Sequence, residues 1–319
     1  MRLSMEKVSI LMLILYHLLV KRVLIMGSTG MLGSAMKSVF LSSDNEIYCT
    51  SRNPNKLKHS PELYFDFYQH DLERWFNDKP KFDYVINCIG AIPQKYATKS
   101  QSEIRDMILL NSFFPADLES LSTNGLFDVI QIATDCVFSG SSGNYDEGAS
   151  HDAIDLYGVS KSLGELRSPN SMLLRCSVIG DMDSSNSSLH NWFLSNKPGS
   201  KIQGFTNHKW SGITTVAFAK IVLGIVKSGR FKPGLQHIVP FDCVSKYDLL
   251  RIIADVKNRH DITINPIENL SGVDRTLRSN YSERNETLWR HAGYAKLPTI
   301  RELVQELDSE SKGVQINEN

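Results

Sequence analysis

Tyr157 and Lys161 stand four residues apart in Tyr-Gly-Val-Ser-Lys, within a segment that reads as a helix over residues 156–167. Side chains at that spacing share one helix face. An ammonium beside a phenol favours the phenolate, so the pair predicts a tyrosine pKa below its reference of about 10. A tyrosine tuned in that way can hand a proton to a carbonyl as hydride arrives, or take one in reverse. Upstream, residues 129–133 read as a buried strand ending at Thr134, in Thr-Asp-Cys-Val-Phe-Ser-Gly. Ligands of open α/β sheets bind at the carboxyl ends of such strands. There the Thr134 hydroxyl can hold a substrate oxygen, the plainer alternative being a strand-end cap. Thr134, Tyr157 and Lys161 are the candidate catalytic residues.

Carbonyl chemistry of this kind needs a hydride carrier, and the amino-terminal part of the chain has a seat for one. Gly27-Ser28-Thr29-Gly30-Met31-Leu32-Gly33 follows the apolar run from Arg22 to Met26 and precedes a predicted helix over residues 31–40. Strand, glycine turn and helix is the context of a dinucleotide fingerprint. Gly27 suits the sharp turn, Gly30 lets backbone approach the phosphates, and Gly33 lets helix pack on strand. The helix start then offers N–H groups and partial positive charge to the pyrophosphate. The second predicted strand, residues 46–50, is followed by Ser51-Arg52-Asn53, with no acid to hold a ribose 2′-hydroxyl. A hydroxyl and a guanidinium fit a 2′-phosphate instead, which favours NADP over NAD unless Arg52 is simply a solvated surface residue. Asp66 closes the next strand, residues 63–65, either toward an adenine or as a helix cap.

The elements around these residues alternate. Apolar runs and helix-like runs succeed one another from Arg22 to about Gly180, the rhythm of a doubly wound parallel sheet. Helices are expected over residues 100–110 and 114–121, on either side of Asn111. After Asp181 the rhythm breaks at a Ser- and Asn-rich loop. Beyond it, helices are expected over residues 215–226, 246–256 and 299–307, a strand over 234–239, and a frayed polar tail over 309–319. The organisation reads as a Rossmann-type α/β fold with a smaller carboxyl-terminal α+β substrate region. Residues 21–180 form the NADP-binding domain, and residues 181–319 form mainly the substrate region, with some segments returning to the Rossmann core. Residues 8–20 are nearly all apolar but fall short of the roughly 20 needed to span a bilayer. Residues 1–20 read as an extension, from a start upstream of the natural one; a membrane-surface anchor is the second reading.

The 319 residues carry 35 Lys plus Arg and 35 Asp plus Glu, and no basic tract, which argues against a nucleic-acid partner. Five scattered cysteines and nine dispersed histidines show no ligand spacing; no metal is expected, and the thiols suit a reducing, cytoplasmic compartment. Lys201, Lys209, Arg275 and Arg278 are candidates for a substrate phosphate, the plainer alternative for each being a solvated surface residue. Trp192, Phe193, Phe205 and Trp210 can stack on a base or sugar, or serve as core. A homodimer is compatible with this composition.

The Gly-x-x-Gly-x-x-Gly spacing resembles the extended short-chain dehydrogenases/reductases. Thr134-Asp135-x-Val137-Phe138-x-Gly140, then Tyr145-x-Glu147 and Tyr157-Gly158-x-Ser160-Lys161, is similar to the dTDP-4-dehydrorhamnose reductase family. Residues 85–90, Asn111, residues 174–180 and Gly212-Ile213-Thr214-Thr215 add to the likeness, which covers residues 21–245 well and the tail poorly. The resemblance implies NADPH-dependent reduction of the C4 keto group of a nucleotide-linked deoxysugar, in deoxysugar and polysaccharide biosynthesis. It implies cofactor contacts at Gly27, Thr29, Met31, Leu32, Arg52, Asp66, Cys88, Gly90 and Lys161, beside the glycines and Tyr157. Where the family has Gly-x-Pro-Thr this chain has Gly-Ile-Thr-Thr, and residues 188–210 are unlike the rhamnose enzyme, so a different sugar nucleotide is expected. The alternatives are an epimerase or dehydratase, although Cys136 stands where the superfamily's dehydratases have a glutamate. A non-catalytic NADP-binding regulatory subunit, like that of methionine adenosyltransferase, resembles the same family.

Overall fold

Four consecutive residues of the first strand, Val23, Leu24, Ile25 and Met26, are fully buried. Only a strand covered on both faces accommodates such a run. A computed structural model describes residues 20–53, 62–93, 100–165, 168–181 and 188–317, with side chains to residue 310. The extension read over residues 1–20 lies outside the described residues except for Val20.

The central sheet contains β1 (Arg22–Met26), β2 (Glu46–Ser51), β3 (Glu62–Tyr64), β4 (Tyr84–Asn87), β5 (Asp128–Thr134), β6 (Ser171–Cys176) and the strand Gly234–His237. Its order is Gly234–His237, β6, β5, β4, β1, β2, β3, and every pairing is parallel. This is the Rossmann-like α/β arrangement. Alternation divides β1 between two cores. Val23 and Ile25 join Met36, Phe40, Phe218 and Trp289 on one face, and Leu24 and Met26 join Trp75, Phe114 and Leu118 on the other. The strand order reverses between β1 and β4, which opens a crevice at the carboxyl ends of those strands.

Beyond residue 181 the chain builds small sheets. His208–Trp210 is flanked by Val244–Ser245, antiparallel, and Val273–Asp274, parallel. Lys201–Phe205 pairs with Thr263–Ile267. A third core, including Phe193, Trp210, Leu249 and Ile253, sits beneath them.

Several boundaries differ from the sequence expectations. The tyrosine helix is Leu156–Leu163, shorter than residues 156–167, and Gly164 caps it. A Cβ at Gly164 would meet the Asn111 carbonyl oxygen at 1.9 Å, so the chain turns away at a point of backbone contact. The helices around Asn111 are joined without a break: Gln101–Ile108, a π-helical stretch Leu109–Phe113, then Phe114–Thr123. The last helix runs Ile300–Asn317, correcting the frayed tail expected over 309–319. Its polar face is held by Lys220, whose Nζ donates to Glu306 Oε1 at 2.9 Å and Glu310 Oε1 at 3.0 Å, while Leu303, Val304 and Leu307 bury the other face.

A buried polar network ties the far edge of the sheet to the loops beside it. Arg175 of β6 is fully buried; its Nη1 donates to His237 Nε2 at 3.0 Å and its Nη2 to His151 Nε2 at 2.8 Å, with Glu165 as its carboxylate partner. His237 Nδ1 is 2.9 Å from the Arg278 carbonyl oxygen. Burial, then the Arg175 charge, push the His237 imidazole down to about 4, so it is neutral. The Glu147 carboxylate accepts from Ser279 Oγ at 2.6 Å, Asn280 N at 2.8 Å and His237 N at 3.0 Å.

Candidate active site

The glycine motif is built by close approach. Gly27 has φ +81°, and its N–H donates to Thr50 Oγ1 at 3.0 Å. A Cβ at Gly33 would fall 2.1 Å from the Gly27 carbonyl oxygen, so only glycine lets the helix Met31–Leu41 start directly over the turn. That helix has Gly30 as N-cap, with no side-chain cap and no acid in its first turn. The helices beginning after Asp71, Ser100, Asp155, Thr214 and Ser245 all have side-chain caps. An uncapped start with its dipole facing a crevice fits an anion such as a dinucleotide pyrophosphate.

A cavity of about 1030 Å³ opens at this end of the sheet. Gly30, Met31, Leu32, Cys88, Gly90, Thr134, Tyr157 and Lys161 all line it. These eight expected residues are thus brought together. Gly27 and Gly33 shape the wall from behind it. Thr29 and Arg52 are exposed, Arg52 just past the end of β2. The Asp66 carboxylate accepts from Tyr68 N at 3.1 Å and from Gln69 Nε2 at 3.0 Å, an Asx turn; the next helix is capped by Asp71 instead. Arg52 and Asp66 do not line the cavity.

Asn111 sets the depth of the tyrosine helix. Its Oδ1 accepts from Ala91 N at 2.8 Å, and its Nδ2 donates to Ala91 O at 3.0 Å and Ser160 Oγ at 3.1 Å. Ser112 Oγ donates to Ser160 O at 2.7 Å. The π-helical stretch thereby presses one turn of the neighbouring helix, and with it Tyr157 and Lys161, against the end of β5.

The electrostatics correct one expectation. The Tyr157 phenol is not lowered toward neutral pH; burial pushes it up, Cys136 adds to the rise, and hydrogen bonding with Thr134 opposes it. Lys161 is itself buried, which lowers its pKa, and its Nζ donates to the Ile132 carbonyl at 3.1 Å rather than acting on the phenol. The phenol therefore stays protonated, the state a proton donor needs. Thr134 Oγ1 accepts from Cys136 N at 3.2 Å and lies 3.3 Å from Asp135 Oδ1. Burial raises the Asp135 carboxyl, while Lys246 and Arg275 hold the rise back. Burial also pushes the Cys136 thiol up to about 12, followed in size by the effect of Asp135.

Of the four cations expected near a substrate phosphate, only Arg275 lines the cavity. Lys201 and Lys209 are exposed on the small sheets, and Arg278 pairs with Asp146. Lys246, not anticipated from the sequence, lines the cavity with Arg275. Among the aromatics, Trp210 lines it too, Phe193 is core, Phe205 stacks on His208 at 4.4 Å between centroids, and Trp192 is exposed. Among the described residues no cluster of three or more His, Cys, Asp or Glu is placed to hold a metal ion. Among them, too, no helix is long and apolar enough to cross a membrane.

A Rossmann-like sheet, an uncapped helix start and the Thr134, Tyr157 and Lys161 side chains thus meet around one cavity. The chain belongs to the family described as RmlD substrate binding domain, whose model matches residues 21–312. Among solved structures it is similar to a dTDP-4-dehydrorhamnose reductase from Clostridium acetobutylicum, with 19% identity, a TM-score of 0.69, and 91% of this chain and 99% of that chain covered. A dTDP-4-dehydrorhamnose reductase from Bacillus anthracis in complex with NADP aligns with 17% identity, a TM-score of 0.69 and the same coverage. A UDP-glucuronic acid 4-epimerase from Bacillus cereus, in complex with NAD, aligns with 16% identity and a TM-score of 0.68 over 92% of this chain and 99% of that one. The Staphylococcus saprophyticus epimerase family protein SSP1921 is 35% identical over 83 residues; the chain spans about a quarter of that relative, 27% of its length.

Proposed function

We propose that the protein is an NADPH-dependent oxidoreductase that reduces a keto group on a nucleotide-linked deoxysugar. The observation that carries this is the meeting of Thr134, Tyr157 and Lys161 with Gly30, Met31 and Leu32 on one cavity. Family membership, and a relative bound to NADP, support the same reading. Residues 21–180 would hold the cofactor, and residues 181–319 would close over the sugar nucleotide. The residues present fit the cofactor: the uncapped helix start would take the pyrophosphate, Cys88 and Gly90 would lie toward the nicotinamide, and Arg52 and Ser51 would meet the 2′-phosphate. Asp66 would meet the adenine.

NADPH, when bound, supplies hydride to the carbonyl carbon. Thr134 and Tyr157 hold the carbonyl oxygen, and the Tyr157 hydroxyl gives it a proton as charge develops. The raised phenol suits this direction of reaction. Lys161, whose Nζ donates to the Ile132 carbonyl oxygen, would hold the nicotinamide ribose. A thiol held near pKa 12 at Cys136 cannot do the work of the carboxylate that elimination needs. The class of the reaction in reverse is oxidation of a CH–OH group, and its setting is the cytoplasm.

The test is a panel of nucleotide-linked keto sugars with NADPH, followed at the nicotinamide absorbance, with product stereochemistry by NMR. One NADPH oxidised per alcohol formed supports the reading. Product without net cofactor oxidation makes the protein an epimerase or dehydratase. Tight NADPH binding, a co-purifying protein and no turnover make it a regulatory subunit.

A further inference from the structure

We propose that Lys246 and Arg275 form the subsite that grips the diphosphate of the sugar nucleotide; this rests on the sugar-nucleotide reading above. That reading places two diphosphates in one cavity, the cofactor's and the substrate's. The helix start at Gly30 answers the first. The basic side chains on the cavity wall are Lys161, Lys246 and Arg275, and Lys161 is held by the Ile132 carbonyl.

The two remaining cations arrive from opposite edges of one small sheet. His208–Trp210 is its middle strand. Val244–Ser245 lies along one side and delivers Lys246; Val273–Asp274 lies along the other and delivers Arg275. Ser245 caps the helix that Lys246 begins, accepting from Asp248 N at 3.0 Å, and so fixes where the lysine leaves the backbone. The Lys246 Nζ lies 5.3 Å from the centre of the Trp210 ring, whose Nε1 is anchored on Ser177 Oγ at 2.9 Å.

Both cations lack the partners that cations in closed surroundings ordinarily have. Arg275 Nη1 has a thiol, Cys136 Sγ, at 3.6 Å, and Arg275 Nε is buried without a hydrogen-bond partner among the described residues. Neither Lys246 nor Arg275 makes an ion pair among the described residues. Asp135 faces both from a greater distance and is the acid that offsets them. Two positive charges against one buried carboxyl leave the wall short of negative charge, which a diphosphate supplies. The arginine fork matches paired phosphate oxygens, and the lysine serves as a point charge.

The test uses protein saturated with NADPH, titrated with dTDP and with UDP by calorimetry, for the wild type, Lys246→Gln and Arg275→Gln. Each substitution should weaken nucleoside diphosphate binding about 10-fold or more and leave NADPH affinity unchanged. Inorganic pyrophosphate should displace dTDP from the wild type, which tests the subsite even if a variant misfolds. Wild-type binding that both variants retain, or that pyrophosphate does not disturb, overturns the subsite alone. A wild type that holds NADPH and binds no nucleoside diphosphate overturns the sugar-nucleotide reading with it. If the variants lose affinity for UDP-glucuronic acid but not for UDP, the pair recognises a sugar carboxylate and the diphosphate assignment is wrong.

Discussion

Asn111 Nδ2 donates to Ser160 Oγ at 3.1 Å, joining a π-helical stretch to the helix that presents Tyr157 and Lys161. The same amide satisfies both backbone groups of Ala91, on the cofactor side of the cavity. One buried side chain therefore positions both halves of the site. Asn111→Ala strands the Ala91 N–H and C=O away from water. We expect a stability loss of about 1–3 kcal/mol and a fall in kcat larger than the rise in KM. A denaturant midpoint equal to that of the wild type would show that these bonds carry no stability.

Tyr157→Phe keeps the ring and removes the proton. Reduction should slow by roughly 10²–10⁴-fold while NADPH affinity stays near wild type. In the wild type, the raised phenol keeps its proton, so kcat for reduction should stay level up to about pH 9. A decline already beginning near neutral pH would restore the lowered tyrosine that the Tyr/Lys spacing suggests.

Gly33→Ala drives a methyl into the Gly27 carbonyl oxygen, 2.1 Å from its built position. The helix start must shift away from the turn. A destabilisation of about 1–3 kcal/mol is expected, together with a loss of NADPH binding greater than any change at the sugar-nucleotide side. Fluorescence titration of NADPH reads the second effect; normal affinity would remove Gly33 from the cofactor seat.

Arg52→Ala should weaken NADPH by about 1.5–3 kcal/mol and leave NADH nearly unchanged, because only NADPH carries the 2′-phosphate. Equal losses for both cofactors, or a wild type that prefers NADH, would take the assignment away from Arg52.

Acid should unfold the protein through His237 and Glu147. The folded His237 titrates near 4, against 6.5 for an unperturbed imidazole, so between those values the unfolded chain binds the extra proton. Stability therefore falls as pH drops from about 6.5 to about 4 and levels off below. Burial raises the Glu147 carboxyl, but hydrogen bonds from Ser279, Asn280 and His237 together outweigh it and leave it lowered, so its contribution is lost as pH falls through its folded pKa, in the same direction. His237→Gln should flatten the first part of the stability–pH curve; an unaltered curve would place the acid sensitivity elsewhere.

What the chain announced in advance was local. Gly27, Gly30 and Gly33 are a motif of adjacent residues, and the strand ending at Thr134 is a continuous apolar run, so periodicity sufficed for both. The helix Lys246–Val256 also has the bounds read from the sequence. Lys246 as a cavity residue was not legible. Its place depends on Val244 pairing with Trp210, a contact between segments with no shared pattern. The partners of Arg175 were hidden for the same reason: Glu165, His151 and His237 come from three segments. The Tyr157 shift is not legible in the spacing, which reports that a lysine is near and says nothing about desolvation or the pull of the Ile132 carbonyl. Asn111 stands between two helical stretches in the sequence, but the π turn around it has no signature beyond an otherwise ordinary helical run.

The strand Gly234–His237 pairs with β6 from the far side of a long excursion, since the chain leaves β6 at Cys176 and returns only at Gly234. A ribosome that has released the chain as far as the helix Leu189–Leu194 has therefore completed six strands of the central sheet and left one edge of β6 unpaired, the other edge being taken by β5. Emerging chains at that stage present an unpaired edge that the folded protein buries completely, the kind of surface on which strands of neighbouring chains pair by mistake. Yield in a foreign host should accordingly depend on how quickly residues 177–237 follow, and on whether a chaperone shields β6 in the interval.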